Sequence, residues 1–96
     1  MRIENIMRLD LFLKASRLVP RRTLAQKFCD AGRVMVNGSQ AKSSHSVKVG
    51  DEVVIRCGDK ETTIGVAAVP SSRQTSRKEA TELYEIIGEK LFENVD

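Results

Sequence analysis

The side chains in this sequence with chemistry to offer are cations. Arg8, Lys14, Arg17, Arg21, Arg22, Arg33 and Lys42 lie between residues 8 and 42, where Asp10 and Asp30 are the only acids. A guanidinium presents its donors as a planar fork that matches phosphate oxygens two at a time, and an ammonium adds a point charge beside it. The chemistry on offer is the holding of phosphates. Arg21 and Arg22 stand in the first turn of an expected helix, where positive charge opposes the helix dipole by roughly a few tenths of a kcal/mol. A phosphate at that point would meet guanidinium forks and free backbone donors together, which suits an RNA backbone. Arg8 and Arg17 are expected near the same end of a helical pair if the helices pack antiparallel, with Arg33 and Lys42 adding charge beside them. Each cation has the alternative of a merely solvated surface role, which weighs most for Arg33. Arg22, exposed in a first turn, is expected to add little to the core.

Catalysis finds no comparable set. His45 is the only histidine and sits in a serine-rich loop, Cys29 and Cys57 are far apart on different expected elements, and Gly-rich phosphate loops are absent. Neither a nucleophile with its base nor a clustered metal site is spelled out, so no enzyme activity and no cofactor are expected. The chain has 96 residues, enough for one core. Its net charge of +3 says little, but residues 1 to 48 carry +7 and residues 49 to 96 carry −4. No apolar run is long enough to cross a bilayer or to serve as a signal peptide, which gives the cytoplasm as the default location and reduced thiols as the default state.

Several elements must position the cations. Leu9, Phe12 and Leu13 share one helical face after Arg8, and Asp10 favours the start of that helix and precedes Lys14 by four. Pro20 fits the first turn of a second helix, Leu24, Ala25, Phe28 and Cys29 form its stripe, and Gly32 closes it. Val34 and Val36 lead into the hairpin dipeptide Asn37-Gly38. Val53 to Cys57 and a strand over roughly 62–69, broken at Gly65, follow after the Gly50-Asp51 turn. Ser71 to Thr75 read as a flexible connector. Ser76 and Glu79 make a capping box, and Ala80, Leu83, Tyr84 and Ile87 give a last helix its stripe, with Glu79, Glu82, Glu85, Glu89 and Glu93 as its solvated face. The division expected is an extension over 1–7, in which Met7 is a candidate start, a domain over 8–70, and a connector with a C-terminal helix over 71–96.

The order Arg8-Leu9-Asp10, Leu13, Arg22, Ala25, Gly32, Val34, Val36, Asn37 and Gly38, closed by Val49-Gly50-Asp51, resembles the RNA-binding domain first described in small-subunit ribosomal protein four. The resemblance covers about residues 8 to 57. It implies an α+β, S4-like fold: two N-terminal helices packed on a small twisted antiparallel sheet, to which this chain adds a C-terminal helix. It also implies that Arg8 and Arg22 face structured RNA, with Asp10 orienting a neighbouring arginine. Many members carry a serine where this chain has Arg21. The runs Phe12 to Leu18 and Arg21 to Ala25, with Glu79-Ala80 and Leu83-Tyr84, are similar to the bacterial ribosome quality-control branch of that family.

That branch implies as partners the large ribosomal subunit with its rRNA, peptidyl-tRNA, and RqcH, which adds alanines to a stalled chain. The chain would be a monomer off the ribosome, with no membrane or DNA partner. One alternative is the small heat-shock branch that recognises obstructed large subunits. Its members carry tryptophans near their start and a basic tail, whereas this chain has no tryptophan and ends Glu93-Asn94-Val95-Asp96. Another is a protein-interaction module acting through the acidic last helix.

Overall fold

The computed structural model describes residues 6–70 and 76–91. The elements run β1 (Ile6–Arg8), α1 (Leu9–Ala15), α2 (Arg22–Asp30), β2 (Val34–Val36), β3 (Ser39–Gln40), β4 (Ser46–Lys48), β5 (Glu52–Cys57), β6 (Lys60–Val66), α3 (Arg77–Glu82) and β7 (Tyr84–Leu91). A five-stranded antiparallel sheet has the order β3-β2-β5-β6-β7, and β1 pairs with β4 as a separate two-stranded ribbon. This is the expected α+β class.

The core grows from the apolar positions of α1. Leu9, Phe12 and Leu13 are fully buried and join Ala25 and Cys29 of α2, Val34 and Val36 of β2, Val47 of β4, and Val53, Ile55, Ile64 and Val66 of the sheet. Leu24 and Phe28 are half-buried against the same cluster. The second helix begins at Arg22 with Arg21 as its N-cap, so Pro20 precedes the first turn instead of filling it. Asn37 and Gly38 both take positive φ, 52° and 87°, as a tight two-residue hairpin requires.

Arg17 takes a φ of 62°, just past the C-cap Ser16 of α1, where helices usually place glycine. A side chain in that conformation costs about 1–2 kcal/mol, more than the roughly 0.4–1 kcal/mol of extra unfolded-chain entropy that glycine brings. Arg17→Gly is therefore expected to stabilise the fold by about 0.5–1 kcal/mol, read as a thermal midpoint a few degrees higher. A lower midpoint would mean that contacts of the Arg17 side chain outweigh the backbone strain.

Three further expectations change. Ile6 and Met7 are not part of a bare extension: they form β1 with Arg8, opposite Lys48 and Val47 of β4. Gly65 does not break its strand, since it pairs with Glu52 on one side and Glu85 on the other, and the irregularity lies at Thr63/Ile64 against β7. The last helix is real but short. Ser76 and Glu79 make the capping box, α3 ends at Glu82, and the residues from Tyr84 onward pair with β6 as the edge strand β7. Glu85 and Glu89 consequently sit on a strand. The connector expected at 71–75, Glu93 and the acidic end at 93–96 lie outside the described residues.

The helical reading failed at Tyr84 because Ala80 and Leu83 are buried while Ile86 and Ile87 are exposed, at 57% and 60%. The backbone donors of this segment find β6. The adjacent β-branched residues Ile86 and Ile87 favour that choice.

Candidate RNA-phosphate site

Asp10 is fully buried at the start of α1 and organises the site. Its Oδ1 accepts from the backbone N–H of Leu11 at 2.8 Å and from Arg8 Nε at 3.3 Å. Its Oδ2 accepts from Arg8 Nη2 at 3.2 Å, Arg22 Nε at 3.2 Å and Gln26 Nε2 at 2.9 Å. Burial works to raise the Asp10 carboxyl, but the bonds from Gln26, Arg22, Arg8 and Leu11 outweigh it and hold the group below its ordinary 3.8. The carboxylate stays charged and locks two guanidinium groups in place.

Those groups remain usable. The Arg8 and Arg22 side chains are 44% and 38% exposed, and Arg22 bonds Asp10 through Nε alone, so its two terminal nitrogens are not committed to that carboxylate. Two cations on one buried anion leave a net positive, pre-oriented fork, and an oriented side chain loses less freedom when it binds. Arg22 is thus more than a surface charge, because it satisfies part of a buried carboxylate.

The backbone around α1 is spoken for. No side chain caps this helix at Arg8; instead Leu9 N–H donates to His45 O at 2.7 Å and Asp10 N–H to Ser43 O at 3.1 Å. The Lys42–His45 turn, closed by His45 N–H to Lys42 O at 2.9 Å, therefore lies against the start of α1 and brings exposed Lys42 to the Asp10 neighbourhood. The start of α2 has no side-chain cap at Arg21, which leaves its first-turn donors for an anion.

Other predicted residues are more spread out. Arg8 precedes and Arg17 follows the seven-residue α1, so they flank opposite ends of a helix about 10 Å long and not one shared end. The Asp10 carboxylate joins Arg8 to Arg22 instead. Lys14 is exposed in the last turn of α1, and exposed Arg33 follows Gly32, its backbone tying α2 to β5 through Phe28 O and Arg56 N–H. Lys14, Arg21, Arg33 and Lys42 have no carboxylate partner among the described residues, whereas Lys60, at the start of β6, pairs with Glu89 at 2.9 Å.

Gln26 was not anticipated. It stands four residues after Arg22 on the same helix face, and that spacing was its one available signal. Cys29 is buried, and its thiol is pushed up to about 11 by burial and then by the charges of Asp10 and Asp30, so it packs and does not react. Among the described residues no group of three or more His, Cys, Asp or Glu could hold a metal ion, and no helix is long and apolar enough to cross a membrane.

The S4 domain family matches residues 7–53, a span that contains Arg8, Asp10, Arg22 and Gln26. The RQC P-site tRNA stabilizing factor of Bacillus subtilis is 48% identical over 84 residues, covering 88% of this chain and 95% of that protein. Its counterpart in Halalkalibacterium halodurans is 53% identical over 81 residues, covering 83% and 89%. Among solved structures, heat shock protein 15 of Vibrio cholerae, described as trimeric, superposes with a TM-score of 0.77 at 36% identity, covering 84% of this chain and 81% of that one.

Proposed function

The chain belongs to the family of RQC P-site tRNA stabilizing factors, the RqcP group of S4-domain proteins, and from that premise we propose that it binds large ribosomal subunits blocked by peptidyl-tRNA and supports RqcH-dependent alanine tailing. The observation that carries the proposal is the Arg8–Asp10–Arg22 arrangement, two guanidinium groups held on one buried carboxylate while both side chains stay partly exposed. Arg8, Arg17, Arg21 and Arg22 hold RNA backbones, Lys14, Arg33 and Lys42 widen the positive surface, and Asp10 positions the arginines without touching RNA. No bond is made or broken by this chain. It steadies the tRNA while RqcH receives each alanyl-tRNA. A repeated addition needs the tRNA end in one geometry each cycle, and losing that placement costs orders of magnitude in rate even where binding survives. The site of action is the cytoplasm, where these subunits are.

The heat-shock reading is the alternative function on the same surface. It is favoured less because the identity is 48% and 53% to the two stabilizing factors but 36% to the heat-shock structure. Mass spectrometry of stalled chains, in cells with and without the protein, tests the choice. Alanine tails should be lost or sharply shortened in the deletion and restored by the wild-type chain. Tails of unchanged length and frequency would leave the heat-shock role as the better reading. Variants at Glu82 and Glu89 should tail normally, whereas a tailing defect there would favour the protein-interaction module acting through the acidic C-terminal segment.

A further inference from the structure

The β1–β4 ribbon extends the cationic surface beyond the helices. Met7 and Val47, opposite each other in the ribbon, turn inward, while Ile6 opposite Lys48 and Arg8 opposite Ser46 form its solvent face. Same-face residues two apart on one strand are about 6.6–6.8 Å apart, and diagonal neighbours across a pair about 7–8 Å. Lys48 is the diagonal neighbour of Arg8 on that face.

Its backbone is fixed at both ends of the neighbouring turn. Lys48 N–H donates to Asp51 Oδ2 at 3.0 Å, Asp51 N–H donates to Lys48 O at 3.1 Å, and Asp51 Oδ1 accepts from Asn37 Nδ2 at 3.2 Å. Asp51 is buried in these bonds, so its carboxylate is committed to a backbone and an amide. The Lys48 ammonium, exposed, has no carboxylate partner among the described residues.

We propose that Lys48 is an RNA-phosphate contact, and that the outer face of the β1–β4 ribbon carries one RNA strand away from the Arg8–Arg22 fork. The inference rests on the ribosome-binding reading above and adds a residue and a direction to it. A strand whose phosphate sits on Arg8 can run along the ribbon past Ser46, where a hydroxyl accepts or donates, and place a neighbouring phosphate on Lys48. Lys42, on the turn that caps α1, lies beside the start of this path. The contact is electrostatic and carries no base preference.

Binding of the full chain to isolated large subunits carrying peptidyl-tRNA, titrated across salt, tests this. Lys48→Gln should weaken binding roughly three- to tenfold at physiological salt and flatten the log–log salt plot by about 0.7–0.9, the signature of one lost phosphate, while Lys48→Arg keeps both. Lys60→Gln removes the same charge from the start of β6, outside the ribbon, and should bind like wild type. Unchanged thermal midpoints in these variants tie the losses to binding and not to folding.

If Lys48→Gln binds like wild type while Arg22→Ala does not, the ribbon path is wrong and the ribosome-binding site stands. Equal losses in Lys48→Gln and Lys60→Gln would also overturn it, since overall charge would then account for both. If Arg22→Ala and Lys48→Gln are both wild type, the parent reading fails with it.

Discussion

Replacing Asp10 with alanine is expected to destabilise the fold by about 2–3 kcal/mol and to weaken ribosome binding at least tenfold, because one carboxylate serves four hydrogen-bonding partners. It receives Leu11, Gln26, Arg8 and Arg22, and hydrogen bonds to a charged group contribute roughly 1.5–3 kcal/mol each. Arg8 and Arg22 are partly exposed and recover water when released, which keeps the total well below the sum. Binding suffers because the guanidinium groups lose their fixed orientation.

The charge of Asp10 makes the stability effect depend on pH. Its folded pKa lies below the ordinary 3.8, so the increment is present above that value and is lost as acid titrates the folded carboxyl. Urea unfolding of wild type and Asp10→Asn should therefore differ most near neutrality and converge below pH 3.8. A gap that persists in acid would show that the mismatch of an amide NH2 against the surrounding donors, and not the lost charge, carries the difference.

Arg22→Ala should lower affinity for large subunits carrying peptidyl-tRNA by about ten- to a hundredfold, with the salt slope reduced by about 0.7–0.9. The more discriminating variant is Arg22→Lys. Lysine keeps the charge, but its single nitrogen cannot serve Asp10 as Arg22 Nε does and also offer a phosphate the two-nitrogen fork of a guanidinium. It should recover only a minor part of the lost affinity. Full recovery by lysine would reduce the site to a point charge. Thermal unfolding of Arg22→Ala should show a cost of about 1 kcal/mol, more than an exposed first-turn residue suggests, because Asp10 keeps Arg8, Gln26 and Leu11 but loses a charged donor.

The features legible in the sequence are those that depend on near neighbours. The α1 stripe, the Asn37-Gly38 turn, the closing role of Gly32 at φ 73° and the Ser76/Glu79 box all follow from residues within one or two turns of each other. Misread features depend on distant partners. The strand β1 exists because β4, forty residues on, supplies its hydrogen bonds, and β7 exists because β6 is open to pairing. The helical spacing of Ala80, Leu83, Tyr84 and Ile87 was genuine, yet Leu83 is where the helix turns over, and its carbonyl accepts from Ala67 and Ala68. At the site, the sequence named Arg8, Asp10 and Arg22 but not their shared bonds, since the 12- and 16-residue separations that join Asp10 to Arg22 and Gln26 are tertiary. Arg17's left-handed backbone carried no sign because nothing at that position is glycine.

The pairing of β7 with β6 also sets an order of events during synthesis. A chain made from its N-terminus can assemble α1, α2 and the strands through β5 around the buried valines, and the Asp10 hub needs nothing beyond Gln26 and the turn at Lys42–His45. When β6 first emerges, however, its outer edge is a row of unpaired donors and acceptors, the kind of edge that recruits foreign strands. It remains open until α3 and β7 have been made and have folded back. A chain released after being cut short between Val66 and Tyr84 would thus combine a formed Asp10 hub with an unguarded sheet edge, and would be prone to aggregate.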